Sequence, residues 1–151
     1  MESGTERSHE AFLRSALAGT RFSQARWVAE TGSTNDDLAA AATSGAPEQV
    51  LVTDLQTAGR GRRNRVWDAP SGSGVLMSVL LRNTTTTATP TATIAADPFW
   101  AVGAVSLAAC QTIAELVTVP CSVKWPNDVL LDVEGEPVSY THLTLPTTPY
   151  V

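Results

Sequence analysis

Apolar residues recur at helical spacing from Ser8 to Leu17, which predicts an amphipathic helix with Ser8 as its N-cap and Gly19 as its stop. A short strand follows over Arg26–Thr31. Ser33 or Thr34 then caps a second helix, with Asp36 and Asp37 in the first turn, where negative charge suits the helix dipole. This helix runs through an alanine tract to about Gly45. Gln49–Asp54 reads as a strand, Thr57–Gly72 as a loop rich in Gly and Arg, and Gly74–Leu81 as a buried strand. Asn83–Ala96, rich in Thr and Ala, has little to bury and reads as a surface loop. A long apolar helix is expected from Pro98 to Val119, with Asp97 as its cap. Ser122–Trp125 is the next strand, ended by Pro126, and Asp128–Asp132 is another, with Glu134-Gly135 as a hairpin turn. Interleaved helices and strands make the class mixed, α/β or α+β, and no internal repeat is visible.

Composition narrows the picture. A chain of 151 residues with 43% hydrophobic and 17% charged residues suits one soluble, globular domain. The net charge of −5 argues against broad nucleic-acid binding, yet Arg60, Arg62, Arg63 and Arg65 put four of the ten basic residues into one loop. That contrast points to a small anionic ligand at the loop. No apolar run approaches the roughly 20 residues that span a bilayer, and the polar N-terminus is unlike a secretory signal. Cys110 and Cys121 read as buried thiols of a reducing cytoplasm. With His9 and His142 the only histidines, no metal site is expected in the protein itself.

Three segments carry chemistry. In Gln56-Thr-Ala-Gly-Arg-Gly-Arg-Arg-Asn-Arg-Val-Trp67, Gly59 and Gly61 let the backbone approach a ligand. The arginines offer planar forks for phosphate, and Trp67 offers a flat face for a ring. The same composition also fits a solvated loop or an RNA-binding loop; it is not a Walker A motif, lacking the Gly-Lys-Ser/Thr ending. In Lys124-Trp-Pro-Asn-Asp128, Pro126 fixes a rigid rim, Lys124 supplies a point charge, Asn127 both a donor and an acceptor, and Asp128 a carboxylate. A plain strand end is the alternative. Ser33-Thr34-Asn35 is either a helix cap alone or a set of hydroxyls and an amide for a neutral polar head group.

Together and in this order, the Ser-Thr-Asn turn, the Gly-Arg-Gly-Arg loop ending in Trp, and Lys-Trp-Pro-Asn-Asp resemble the biotin–protein ligase family over roughly Arg26–Pro137. The resemblance implies an α+β fold, a mixed central sheet flanked by helices, similar to class II aminoacyl-tRNA synthetases. It implies that biotin and ATP, with Mg2+, form biotinyl-adenylate, and that a lysine of the biotin carboxyl carrier domain of acetyl-CoA carboxylase or a related carboxylase takes the biotin. Under it, Ser33, Thr34, Asn35 and Gln56 hold the biotin head group, and Gly59, Arg60 and Gly61 cover it. Arg62 meets both biotin and the phosphates. Arg65, Trp67, Lys124, Asn127 and Asp128 serve ATP or the adenylate, and Arg62 and Lys124 are the catalytic cations. Fixed cations would stabilise the charge that develops on the phosphates. Asn64 stands where the family commonly has Gly; Asn is the residue best able to replace it in a left-handed conformation. No nucleic acid, no membrane and a cytoplasmic setting are expected, and a homodimer is one arrangement left open. A lipoate–protein ligase and a non-enzymatic RNA-binding module are the rival readings.

The family pattern breaks after Pro137. The expected Gly-Lys-Leu-Ala-Gly-Ile-Leu-like strand is absent and no lysine follows Lys124. Written back as GTC TCT TAT ACA CAT CTG ACG CTG CCG ACG, Val138–Thr147 resembles a transposase-type sequencing adapter. The expectation is therefore a partial catalytic domain over residues 1–137 and a non-native tail over 138–151, extended and poorly packed. A chain so truncated would be inactive in ligation, and its N-terminus is too short for the winged helix of the repressor-type members.

Overall fold

The computed structural model describes residues 4–22, 24–61, 65–82, 98–125, 128–133 and 136–142. The expected loop over 83–96, the Asp97 cap and the Glu134-Gly135 turn lie outside these. The chain forms two compact units, one up to residue 82 and one from 83 to 147.

The first unit begins with α1 (Gly4–Ala16), followed by β1 (Gln24–Thr31), α2 (Thr34–Thr43), β2 (Gln49–Gln56) and β3 (Leu76–Leu80). Helix α1 starts four residues before Ser8, which therefore lies inside it and is not its cap. Gly19 does fall where the chain leaves the helix, at φ 81°. At the second helix Ser33 is the cap: its backbone is extended and its Oγ accepts from the Asp36 amide at 3.4 Å, while Thr34 is the first helical residue. The strands order β1-β2-β3, parallel between β1 and β2 and antiparallel between β2 and β3, so the sheet is mixed. Helix α2 is the crossover that parallel neighbours require.

Strand β1 shows why it holds: Ala25 and Trp27 point inward while Gln24 and Arg26 face solvent, the two-residue alternation of a half-buried strand. Helix α1 packs on β1, where the His9 ring meets Trp27 edge-on at 4.5 Å and 67°. The middle strand β2 buries Val50 on one face and Leu51 and Thr53 on the other. Helix α2 lies against β2 and β3, and its Leu38 is buried. Strand β3 is not the buried strand its apolar run suggests. Only Ser78 is buried, while Met77 is 50% exposed, because β3 is the sheet's last strand.

The second unit contains α3 (Pro98–Leu116), β4 (Cys121–Lys124), β5 (Asp128–Val133) and β6 (Glu136–His142). Helix α3 ends three residues before Val119 and packs on β4 and β5. Ser106, wholly buried in this helix, donates to the Val102 carbonyl at 2.9 Å. The ring of Trp125 lies over Gly103, where a Cβ would stand 2.9 Å from its Cζ3. Strands β4, β5 and β6 form an antiparallel sheet, with a register shift between Val129 and Leu130. Residues 138–142 are thus extended, as expected, but they are paired with β5. The β-favouring Val138, Tyr140 and Thr141 suit the pairing. Cys110 and Cys121 carry no disulfide and are half-buried, not fully buried. Burial first, and the neighbouring Cys110 second, push the Cys121 thiol up to about 11. Among the described residues no helix is long and apolar enough to cross a membrane.

Candidate functional site

The N-terminus of α2, the end of β2 and the glycine loop meet in the first unit. β1 and β2 run in parallel register to Thr31 and Gln56, so the two chains leave the sheet together. Two further backbone bonds carry the pairing outward, Thr57 N–H to the Thr31 carbonyl at 2.9 Å and Ala58 N–H to the Gly32 carbonyl at 2.8 Å. This places Gln56 beside the start of α2. Its Oε1 accepts from the Thr34 amide at 2.8 Å and from the Thr34 hydroxyl at 3.0 Å. The amide is one of the donors that a helix start leaves without an intrahelical partner.

The loop from Gly59 to Trp67 folds back on itself. Trp67 N–H donates to the Gly59 carbonyl at 2.8 Å and Gly61 N–H to the Arg65 carbonyl at 2.7 Å, flanking an antiparallel bridge between Arg60 and Val66. The expected irregular loop is therefore a narrow ladder at its base. Gly59 is buried, and a Cβ there would collide with the Trp67 carbonyl oxygen and stand 3.2 Å from Gln56 Nε2. Gly59 is needed for this close approach. Gly61 is not under the same constraint, since its nearest neighbour would be an ordinary 3.5 Å away. The Arg60 side chain pairs with Asp36 of α2, Nε to Oδ2, at 3.0 Å, and Asp37 accepts from the Thr31 hydroxyl at 2.5 Å. The loop base is thus joined to the helix start by a side-chain pair as well as through the strand end.

Ser33, Thr34, Asn35, Gln56, Gly59, Arg60, Gly61, Arg65 and Trp67 all belong to this unit. Ser33 and Thr34 are buried, 2% and 3% exposed, whereas Trp67 is 41% exposed. Arg62 and Asn64 lie outside the described residues, as does Arg63. Lys124 and Asp128 belong to the second unit, directly paired across β4 and β5, with Lys124 exposed. Asn127 lies outside the described residues.

Sequence reasoning passed over Ser78. Its hydroxyl lies 2.8 Å from that of Thr34 and 2.6 Å from Asn35 Oδ1, so β3 contributes to the same polar cluster. A buried serine amid the apolar run Val75–Leu80 was the available signal. Arrayed at one corner are a helix start, the three buried hydroxyls of Ser33, Thr34 and Ser78, two primary amides and a glycine loop with Arg60 and Arg65 on it: groups chemically able to pair with a compact, neutral polar group.

A model of the biotin/lipoate A/B protein ligase family matches residues 29–138, so the chain belongs to that family. It is 41% identical over 132 residues to a biotin–[acetyl-CoA-carboxylase] ligase of Mycobacterium tuberculosis, covering 80% of this chain and 46% of that protein. It is also 41% identical over 93 residues to the bifunctional ligase/repressor BirA of Bacillus subtilis, covering 60% of this chain and 26% of that one. Among solved structures, the biotin protein ligase of Aquifex aeolicus in complex with biotin and ATP superposes with a TM-score of 0.51 at 28% identity, over 72% of this chain and 41% of that one. The chain spans less than half the length of each of these proteins. The family resemblance and the α+β class of the sequence reading are both borne out.

Proposed function

We propose that this chain supplies the biotin-binding corner of a biotin–protein ligase, which joins biotin to ATP as biotinyl-adenylate and passes it to a lysine of a carboxylase carrier domain. The observation that carries the reading is the junction of Ser33, Thr34 and Gln56 with the Gly59–Trp67 loop in one hydrogen-bonded corner. The Aquifex relative that shares the fold is a complex with biotin and ATP. Buried hydroxyls and amides suit the uncharged urea ring of biotin, because each buried polar atom needs a partner. Gly59, Arg60 and Gly61 would cover the ring. Arg62, with Arg65, Trp67, Lys124, Asn127 and Asp128, would serve the phosphates and adenine. Magnesium would arrive with ATP, whose phosphates supply much of its coordination. The setting we assign is the cytoplasm, in keeping with two unlinked thiols.

The test is equilibrium binding of biotin to the chain, to Gln56→Ala and to Thr34→Val, with lipoate as competitor. Biotin is expected to bind, to resist displacement by lipoate, and to lose about tenfold or more in affinity in each variant, since a paired polar group is then left alone. Equal displacement by lipoate, or full affinity without Gln56, would overturn the assignment.

A further inference from the structure

The polar cluster has more close oxygen contacts than hydroxyl protons to fill them. Three oxygen–oxygen contacts run in a row: Gln56 Oε1 to Thr34 Oγ1 at 3.0 Å, Thr34 Oγ1 to Ser78 Oγ at 2.8 Å, and Ser78 Oγ to Asn35 Oδ1 at 2.6 Å. Each is within hydrogen-bond distance, so each calls for a proton. The two hydroxyls own one proton apiece, and an amide oxygen owns none. One contact would then set bare lone pairs against each other.

Only one of the two amides is free to turn. Gln56 Oε1 also accepts from the Thr34 backbone N–H at 2.8 Å, and turning that amide would face donor to donor. Asn35 has no such constraint, and the nitrogen and oxygen of a primary amide are assigned by the network around them. We propose that Asn35 presents Nδ2 to Ser78, so that the bonds run in one direction: Asn35 Nδ2–H to Ser78, Ser78 O–H to Thr34, Thr34 O–H to Gln56. The 2.6 Å contact then opens by about 0.2–0.3 Å to the usual N–H···O range. Each of the three contacts then holds one proton, two from the hydroxyls and one from the Asn35 amide.

Ser78 thereby becomes a positioning residue. It directs the Thr34 proton toward Gln56, which commits Oε1 inward and leaves Nε2 as the face turned to Gly59. The Asn35 carbonyl is released from Ser78 and is available as an acceptor. Resting on the biotin reading above, this sets a donor at Gln56 and an acceptor at Asn35, the pattern that a urea's carbonyl and N–H groups complement.

The test needs no ligand, so its failure and that of the biotin reading are separate results. In the 15N-labelled full chain, the Asn35 side-chain amide is identified by its loss in Asn35→Asp, and its hydrogen exchange is followed by NMR. Exchange is expected to be about fivefold slower in the wild type than in Ser78→Ala, and slow again in Ser78→Thr. Equal rates in wild type and Ser78→Ala overturn the proposal. The second arm is the melting temperature of Asn35→Asp against pH. A protonated Asp can donate as Asn does, but its carboxylate restores the missing-proton problem. Melting is expected to fall by about 2–4 °C as the carboxylate ionises, relative to the Asn35→Asp/Ser78→Ala double variant, which carries the same helix-start charge. A flat or rising difference overturns the proposal. Should the double variant not fold, the sign for Asn35→Asp alone decides, because the helix dipole works against the expected fall.

Discussion

The α2 start in the first unit and the Lys124 turn in the second present charged and polar groups by different means. Around α2, Thr34 is fixed three times over, through its amide, its hydroxyl and the Ser78 contact, and it is almost fully buried. In the second unit Lys124 ends a strand with its side chain exposed, and Trp125 remains 60% exposed although it rests on Gly103. The lesson is chemical. A neutral head group must be matched atom by atom, which demands buried partners with fixed directions. A phosphate can be met by a mobile point charge whose field needs no such alignment.

Two glycines put the contrast to its hardest trial. At Gly59 an added Cβ would strike the Trp67 backbone oxygen, and backbone cannot move without opening the loop ladder. Gly59→Ala should cost about 2–4 kcal/mol in denaturant unfolding and release the loop. At Gly103 the obstacle is the far edge of a half-exposed indole, which can swing aside. Gly103→Ala also gains up to about 1 kcal/mol of helix propensity, so its net effect should stay within about 1 kcal/mol. Similar costs at the two sites would erase the distinction between them.

Thr34→Val keeps the shape and removes the hydroxyl. Ser78 and Gln56 each lose a partner in a buried setting, so about 1–3 kcal/mol of stability should go with it, measured by urea unfolding. A loss below about 0.5 kcal/mol would mean that the corner is less over-determined than its geometry implies.

A third trial uses pH. Arg21 grips Glu48 through two nitrogens at 2.8 and 2.5 Å, and the Arg82 amide adds a third bond at 2.8 Å. The Arg21 hydrogen bond is the main reason that the Glu48 carboxyl lies below its ordinary value. A group whose folded pKa is depressed stabilises the fold above its unfolded pKa and stops doing so as pH falls through the folded one. The advantage of wild type over Glu48→Gln should therefore be level above about pH 5 and shrink below about pH 4. Its plateau should be about 1 kcal/mol, because Arg21 is half exposed to water. An advantage that grows on acidification would contradict the assignment.

Much of this was legible in the chain, for physical reasons that differ by residue. Ser33 announces a cap because its hydroxyl and the following acidic residues suit a helix start whatever the tertiary context. The Gly59–Trp67 segment announces a loop because glycines interrupt its run of arginines, and Gly59 is where the backbone then approaches Trp67. What stayed hidden depends on neighbours far along the chain. Ser78 acquires its role only when β3 pairs with β2 and meets α2, 44 residues from Thr34. The exposure of β3 follows from its place at the end of the sheet, which an apolar run cannot report. The start of α1 was misplaced because Gly4–Arg7 carry no apolar period to read. The pairing of residues 138–142 was missed because a strand's β-propensity acts wherever the residues come from.

The smallest effect separates side chain from backbone in the glycine loop. Arg60 pairs with Asp36, but the two side chains are 62% and 54% exposed, so water and salt screen the attraction. The loop base is closed instead by the backbone bonds of Gly59 with Trp67 and Gly61 with Arg65. Arg60→Gln should therefore change stability by no more than about 0.5 kcal/mol, and the difference should vanish at about 1 M salt, where the Debye length is near 3 Å. Asp36→Asn is the less clean partner, since it also removes a charge from the first turn of α2. Thermal unfolding of Arg60→Gln at low and high salt measures the pair alone. A loss above about 1.5 kcal/mol that persists in salt would show that the arginine side chain, and not the backbone ladder, holds the loop against α2.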